Sequence, residues 1–186
     1  MNSNINNIFD QHLDVVKRSR ELLTPKIIQA CDLIKNAISL KRKVLIFGNG
    51  GSAADAQHIA AEFTGRFEKE RLALPAIALT TDSSALTAIG NDYGFDKIFE
   101  RQVEALAKQG DILIGISTSG NSINVLNAFK KGKSLGCTSI GLSGRNGGQF
   151  DLYCDINLIV PSDITARVQE VHILIGHMIC SNIDLN

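Results

Sequence analysis

A histidine and a glutamate four residues apart are the first side chains in this 186-residue sequence that could do chemistry. His58 and Glu62 lie in an alanine-rich segment with helical spacing, so both side chains project from one face of a helix. Asp55 lies on the same face, and Ile59 and Phe63 lie on the adjoining apolar face. A histidine and a carboxylate at this spacing can bind one metal ion, or they can form a polar pair on a solvated helix. Taken alone, the pattern favours the polar pair.

Further possible metal ligands lie near the C-terminus, in a long helical pattern that begins at Asp163. Gln169 and His177 are separated by about 12 Å along a straight helix, so one shared ion is hard to reach from both. Either the side chains lean toward each other, or a neighbouring subunit completes the site. His177 also lies in an apolar run, which is typical of a buried core histidine. His172 is interpreted as structural, and His12 has no chemical context.

Two loops rich in small polar residues each follow an apolar segment and precede a helical one, at residues 48–52 and 117–122. The second loop contains four hydroxyl side chains, those of Ser117, Thr118, Ser119 and Ser122. Unpaired N–H groups at a helix N-terminus bind anions, and neighbouring hydroxyls can add donors to phosphate oxygens. Small polar residues also form turns and N-caps, but six in a row exceed what one cap needs. The second loop therefore predicts a phosphate site.

The first loop also matches the loose glycine pattern of dinucleotide-binding proteins, with Gly48, Gly50 and Ala53 at the required spacing. That pattern needs an acidic residue at the end of the second strand, whereas Glu68 and Glu70 precede the expected strand. A nucleotide-dependent dehydrogenase is therefore disfavoured.

Five short apolar segments predict the strands of a parallel sheet, at residues 43–47, 73–79, 112–116, 139–142 and 156–160. Helical segments between several of them predict helices on both faces of that sheet. Two helices are expected before the first strand, because Thr24 and Pro25 resemble an N-cap and a first-turn proline that restart a helix. The polar residues 66–71 are interpreted as a solvated turn.

Composition restricts the class of protein. The 19 basic and 19 acidic side chains give a net charge of zero, which argues against nucleic-acid binding through bulk charge. The sequence shows no secretory signal and no transmembrane segment, so no membrane partner is expected. The four cysteines are scattered along the chain: Cys31, Cys137, Cys154 and Cys180. This spacing predicts buried thiols in a reducing cytoplasm. The length predicts one domain over residues 1–186, with a helical extension (1–40) and an α/β core (41–186).

Four segments together resemble the phosphoheptose isomerase family, whose members have a sugar isomerase (SIS) domain. These segments are residues 48–62, 89–95, 117–122 and 167–172, and the resemblance extends over about the whole chain. It implies an α/β fold of the SIS type, a flavodoxin-like three-layer sandwich. In that fold a five-stranded parallel sheet is flanked by helices on both faces, and two N-terminal helices precede it.

The resemblance also implies an activity and an assembly. The activity is the aldose–ketose isomerisation of D-sedoheptulose 7-phosphate to D-glycero-D-manno-heptose 7-phosphate, the first step toward the heptose of bacterial surface polysaccharide. The assembly is a homotetramer in the cytoplasm with active sites between subunits.

The family further implies one zinc ion per active site, with ligands that fall on His58, Glu62, Gln169 and His177. The implied substrate contacts fall on Asn49, Gly50, Gly51, Ser52, Glu62, Asn91, Asp92, Ser117, Thr118, Ser119, Ser122 and Gln169. Isomerisation requires a base and an acid, and we expect Glu62 to be the base and His177 the acid. A metal lowers the basicity of a carboxylate, so Glu62 would need to loosen from the ion during turnover.

The competing interpretation is a non-catalytic SIS-domain tetramer that binds a sugar phosphate or a replication-initiator protein. Such a protein would keep the fold and the two loops without needing the four metal ligands. The joint presence of those ligands favours the enzyme.

Overall fold

A five-stranded sheet lies at the centre of the computed structural model, which describes residues 2 to 184. All neighbouring strands are parallel, in the order β2-β1-β3-β4-β5. The strands are β1 (Val44–Gly48), β2 (Ala76–Ala78), β3 (Ile112–Ile116), β4 (Thr138–Gly144) and β5 (Ile156–Val160). The strands β1 and β3 are buried along their whole length, as continuous apolar strands covered on both faces should be.

Helices cover both faces of this sheet, which confirms the expected three-layer α/β architecture. The helices are α1 (Asn2–Ser39), α2 (Gly51–Thr64), α3 (Ser83–Tyr93), α4 (Ile98–Leu106), α5 (Ile123–Ser134) and α6 (Thr165–Asp184). Buried side chains of α1, α2 and α6 form a core on one face, and those of α4 and α5 form a core on the other. Among the described helices, none combines the length and the apolar character needed to cross a membrane.

The N-terminal segment forms one helix instead of two, so the expected break at Thr24 and Pro25 is wrong. Helix α1 continues through Pro25, and the Thr24 hydroxyl donates to the carbonyl oxygen of Arg20 instead of capping a new helix. Pro25 has no N–H to donate within the helix. The helix is continuous because it packs against α6 and β5 and buries residues on both sides of the proline, such as Leu23 and Ile34.

Several other boundaries differ from the sequence prediction. The strands β1 and β4 are Val44–Gly48 and Thr138–Gly144 instead of residues 43–47 and 139–142. The strand β2 is shorter than residues 73–79, because only Ala76–Ala78 pair with β1. Pro75, just before this edge strand, has no N–H, although its carbonyl oxygen accepts from Val44. The last helix begins at Thr165, two residues after the predicted start, and residues 185 and 186 of the predicted helix lie outside the described residues.

The turn after α2 is only partly solvated, so the interpretation of residues 66–71 is wrong for its last residue. Residues 66 and 68–70 are exposed, as expected for a solvated turn. The Arg71 side chain is only 15% exposed, and it pairs with the buried Asp184 at the end of α6. A charged side chain that points inward needs a partner, and Asp184 supplies it.

The four cysteines are free thiols, of which Cys31, Cys137 and Cys180 are buried and Cys154 is half-buried. Burial raises the pKa of Cys137 to about 11 and those of Cys154 and Cys180 to about 12. These thiols therefore remain protonated at neutral pH and behave as small apolar side chains.

Candidate active site

The two loops rich in small polar residues meet at one edge of the sheet. They follow β1 and β3, which are adjacent, with Gly48 in register with Ile116. The chain proceeds from β1 to β2 on one side and from β3 to β4 on the other, so the strand order reverses between the two loops. Ligands of open parallel sheets bind at such a point. The fold therefore places both loops at the expected crevice.

The second loop, called here the hydroxyl loop (residues 117–122), brings three hydroxyl oxygens together. The Oγ of Ser117 lies 2.8 Å from the Oγ of Ser122 and 3.4 Å from that of Ser119. Ser122 precedes α5, yet its side chain makes no capping hydrogen bond to that helix. An ordinary N-cap therefore does not explain this hydroxyl, and the cluster presents donors next to a helix N-terminus.

A third loop, which we call the backing loop (residues 144–149), packs against the hydroxyl loop. The N–H of Gln149 donates to the carbonyl oxygen of Gly120 and to the side chain of Asn121. Gly120 has a φ of 65°, and a β-carbon there would lie 2.1 Å from the carbonyl oxygen of Gly147. Only glycine fits this contact. Sequence reasoning missed the backing loop, although two consecutive glycines were a signal for it.

The first loop is tied to α5 by a pair of amide side chains. The Nδ2 of Asn49 donates to Oδ1 of Asn124 at 2.9 Å, and the Nδ2 of Asn124 donates back at 2.8 Å. Asn124 is buried, and sequence reasoning did not identify it. The pair uses one of the two N–H donors and one of the two acceptor sites of the Asn49 side chain, and the backbone N–H groups of the loop are further donors for an anion.

Gln169 of α6 lies directly over the start of α2. A β-carbon at Gly51 would lie 2.6 Å from Nε2 of Gln169, so this glycine makes room for the amide side chain. Ser52, the next residue, is only 3% exposed and packs against Gly48. Gln169 therefore connects the first loop to α6, whereas Ser52 belongs to the packed interior.

His58, Glu62 and His177 lie close together within one chain, and we call them the His–Glu cluster. The Nε2 of His58 lies 3.2 Å from Oε1 of Glu62. The rings of His58 and His177 meet edge to face, with centroids 5.0 Å apart. On its other side, the His177 ring stacks on Phe67 at 5.4 Å. Phe67 was not identified from the sequence, because only the folded turn after α2 places it there.

A glycine explains how residues so far apart in sequence come together. A β-carbon at Gly176 would lie 2.6 Å from the Cδ1 atom of Ile59, so the absence of a side chain lets α2 and α6 approach closely there. Gly176 precedes His177, and Ile59 follows His58, so the close approach is level with the two imidazoles. His58 and His177 therefore meet without a contribution from another subunit.

The donor atoms of the His–Glu cluster and Gln169 fit a divalent metal such as zinc. They comprise two imidazoles, one carboxylate and one amide, a mixed set that zinc accepts. His58 contacts both Glu62 and His177, while Gln169 lies on the same helix as His177. Within residues 2 to 184, no group of three or more histidine, cysteine, aspartate or glutamate side chains converges closely enough to bind an ion. The chemistry of the donors fits the metal, and the pairwise contacts make three of them neighbours.

Asn91 and Asp92 are not joined to the two loops. They lie at the end of α3, both are exposed, and Nδ2 of Asn91 donates to Oδ1 of Asp92 at 2.8 Å. In the described part of the chain, no hydrogen bond connects either side chain to the hydroxyl loop. Their assignment as substrate contacts remains a prediction from the resemblance.

His12 does have a chemical context, so that interpretation was wrong. Its Nδ1 lies 2.7 Å from Oε2 of Glu170, which also pairs with the buried Arg167. Burial alone would raise the pKa of Glu170, but its hydrogen bonds with Arg167 and His12 outweigh burial and lower this pKa. No signal in the sequence links His12 to Glu170, because the contact depends on how α1 packs against α6.

His172 is structural, as expected. It is fully buried, and its Nε2 donates to the carbonyl oxygen of Ser143 at 3.0 Å. Burial lowers the pKa of His172 to about 4, although the bond to Ser143 opposes this shift. The imidazole is therefore neutral at physiological pH and joins α6 to β4.

The sequence and the fold are similar to those of known proteins. Residues 8–144 match the family model of the SIS domain. A phosphoheptose isomerase from Aliarcobacter butzleri is 56% identical over 184 residues, covering 99% of this chain and 97% of that protein. The structure of phosphoheptose isomerase GmhA from Neisseria gonorrhoeae has a TM-score of 0.94 at 46% identity, with 98% of each chain covered. A phosphoheptose isomerase from Francisella tularensis has a TM-score of 0.96 at 41% identity, over 99% of this chain and 98% of that one.

Proposed function

The chain belongs to the SIS domain family, and we propose that it converts D-sedoheptulose 7-phosphate into D-glycero-D-manno-heptose 7-phosphate. The observation that carries this proposal is the His–Glu cluster on α2, the helix that begins directly after the first loop. A sugar phosphate needs an anion site for one end and proton-transfer groups for the other. This chain offers both, and relatives similar over nearly its whole length are phosphoheptose isomerases.

We assign the phosphate of the substrate to the hydroxyl loop. A phosphate has several acceptor oxygens, and three hydroxyl donors are close together in this loop. The hydroxyl oxygens of Ser119 and Ser122 both lie within 3.4 Å of that of Ser117. The N-terminus of α5 follows directly and favours negative charge. Phosphate binding at this loop holds the distant C1 and C2 atoms in place, so that binding energy at one end accelerates chemistry at the other.

We assign proton transfer to Glu62 and His177. Moving the carbonyl from C2 to C1 requires removal of a proton from C1 and delivery of a proton to C2, through an enediol(ate). The Glu62 carboxylate is 23% exposed and is oriented by His58, which suits a base that must reach a substrate carbon. The His177 ring contacts the His58 ring and stacks on Phe67, which suits an acid that protonates the sugar oxygen.

We further propose one zinc ion per active site, held by His58, Glu62, Gln169 and His177. When bound there, the metal supplies Lewis-acid polarisation of the carbonyl and of its neighbouring hydroxyl. The support for this assignment is the chemistry of the donors and the pairwise contacts within the His–Glu cluster.

We propose a homotetramer with active sites between subunits. The support for a partner chain is an exposed apolar face near the start of α1. Its large apolar side chains follow helical spacing: Ile5, Ile8, Phe9 and Leu13. In this proposal the heptose phosphate that the enzyme releases supplies bacterial surface polysaccharide.

Isomerisation of sedoheptulose 7-phosphate in deuterated water tests the function. The purified protein should form the aldose and incorporate deuterium next to the carbonyl. Glu62→Gln should lose both reactions yet still bind the sugar phosphate, whereas Glu21→Gln, the same change at an exposed position of α1, should behave as the wild type. Full activity in Glu62→Gln would contradict the assignment of the base. Tight binding without turnover by the wild type would support the non-catalytic interpretation instead.

Metal analysis tests the zinc site. The purified chain should contain one zinc ion, and removal by a chelator should abolish turnover until zinc is added back. His58→Ala and Gln169→Ala should reduce the metal content, whereas Gln29→Ala, the glutamine change at an exposed position of α1, should retain it. Full activity after complete removal of metal would contradict the proposal.

A further inference from the structure

The turn after α2 is anchored to the end of α6 by one buried carboxylate. The Asp184 side chain is 1% exposed, and its Oδ2 accepts the N–H groups of Glu68 at 2.8 Å and of Lys69 at 3.1 Å. Its Oδ1 accepts from Nε of Arg71 at 2.7 Å. Burial alone would raise the pKa of Asp184, but these donors outweigh burial and lower it. The carboxylate is therefore ionised and fully used in holding the turn.

The guanidinium of Arg71 binds the C-terminal end of α2. One of its terminal nitrogens donates to the carbonyl oxygen of Glu62 at 2.7 Å, and the other donates to that of Phe63 at 2.9 Å. The last carbonyls of a helix have no partners within the helix, so a guanidinium can cap several of them at once. The Arg71 side chain is 15% exposed, so these bonds are largely shielded from water.

The same ion pair connects the segments that carry Glu62, His177 and Phe67. Arg71 holds the backbone of Glu62 itself. Asp184 follows His177 by two helical turns on α6, so both side chains lie on one side of that helix. The anchored turn also carries Phe67, whose ring stacks on His177. One buried pair thus links the segments that carry the base, the acid and the aromatic ring against the acid.

Resting on the isomerase function proposed above, we infer that Arg71 and Asp184 are positioning residues that hold Glu62 in register with His177. Neither side chain contacts the cluster side chains directly, so both act through the backbone and through Phe67. A lysine at position 71 keeps the charge, but its single ammonium cannot bind the carboxylate and two carbonyls in a fixed plane. A small displacement of a reacting group reduces the rate of chemistry far more than substrate binding.

The kinetic test uses Arg71→Lys and Asp184→Asn. In each variant kcat should fall by about 10- to 100-fold while KM stays within about 3-fold, because the phosphate site is separate from the anchored turn. The kcat of the double variant should be no lower than that of the less active single variant, because both residues act through one contact. The control is Lys69→Ala, which removes a positive charge from an exposed side chain of the same turn and should leave kcat unchanged. Unchanged kcat in both single variants would overturn the inference.

A second readout is independent of turnover. In the full-length protein with histidine labelled at Cε1, the His177 signal is identified by its absence in His177→Gln. Phe67 shifts this signal through its ring current, so the signal should move in Arg71→Lys and Asp184→Asn but stay in place in Lys69→Ala. A fixed His177 signal in the first two variants would overturn the inference. A His177 signal that moves as expected in Arg71→Lys and Asp184→Asn, together with a wild type that does not isomerise the sugar phosphate, would refute the proposed function alone.

Discussion

Asn49 and Asn124 exchange two side-chain hydrogen bonds although 75 residues separate them. The pair joins the loop after β1 to the first turn of α5, which follows the hydroxyl loop. It therefore fixes the spacing between the first loop and the hydroxyl loop, to which we assign the phosphate. Both partners are neutral amides, so they position the loops without adding charge to a crevice that has to accept an anion.

The first prediction concerns this amide pair. Asn124→Asp preserves the shape of the side chain, but the carboxylate has no N–H for Asn49 and adds a negative charge near the phosphate. We expect KM for sedoheptulose 7-phosphate to rise by about 10-fold or more, with a smaller change in kcat. Steady-state kinetics measure this, with Asn36→Asp as the control, because it makes the same change at an exposed position of α1. An unchanged KM in Asn124→Asp would show that the pair does not set the phosphate site.

The second prediction concerns the close approach of α2 and α6. Gly176→Ala improves local helix propensity, but its β-carbon would lie 2.6 Å from Cδ1 of Ile59. We expect the free energy of unfolding to fall by about 1–3 kcal/mol, and kcat to fall because His177 moves away from His58. The same β-carbon would lie 2.7 Å from Cγ1 of Ile59. Adding Ile59→Ala removes both clashing atoms, so the double variant should recover part of the activity. Wild-type kcat in Gly176→Ala would contradict this role of the glycine.

The third prediction concerns the buried imidazole of His172. Its pKa is about 4 in the folded chain, below the ordinary 6.5, so the unfolded chain takes up a proton first as the pH falls. The contribution of neutral His172 is complete above pH 6.5, and the free energy of unfolding should fall by up to roughly 3 kcal/mol between pH 6.5 and pH 4. Urea unfolding at fixed protein concentration measures this. His172→Gln does not titrate and should show a shallower pH dependence; equal slopes would argue against a buried neutral imidazole.

The fourth prediction concerns the proline inside α1. Pro25 is exposed, and Pro25→Ala restores an N–H to the middle of the helix. Proline destabilises the interior of a helix, but it also stabilises the folded state by restricting the unfolded chain. Because the first effect is larger, we expect the free energy of unfolding to rise by about 1–3 kcal/mol in Pro25→Ala. Chemical unfolding of Pro25→Ala and of the control Gln29→Ala, an exposed position on the same helix, measures this. A less stable Pro25→Ala would show that the ring makes a stabilising contact.

The parallel sheet was predictable because its strands are buried on both faces. Residues 112–116 form a continuous apolar run, residues 156–160 are apolar except for Asn157, and the structure places strands at both positions. The continuity of α1 through Pro25 was not predictable in the same way, because tertiary packing overrides the local signal of Thr24 and Pro25 for a break. Local signals therefore located the core strands, whereas long-range packing decided the course of the first helix.

The candidate site was predictable only where its residues are neighbours in sequence. His58 and Glu62 are four residues apart, so helix geometry alone placed them side by side. Asn124, Phe67 and Arg71 gain their roles from contacts with distant segments, and their residue types are unremarkable at those positions. The residues that orient the site are thus harder to recognise than the residues that carry its chemistry.

Helix α6 is the last described element of the chain, and it carries both His177 and Asp184. The loops assigned to the phosphate lie before residue 150, so they leave the ribosome well ahead of this helix. A nascent polypeptide that stalls before residue 177 lacks the acid, and one that stalls before residue 184 lacks the anchor of the turn next to it. The acid and the anchor are therefore synthesised only after both polar loops at the edge of the sheet.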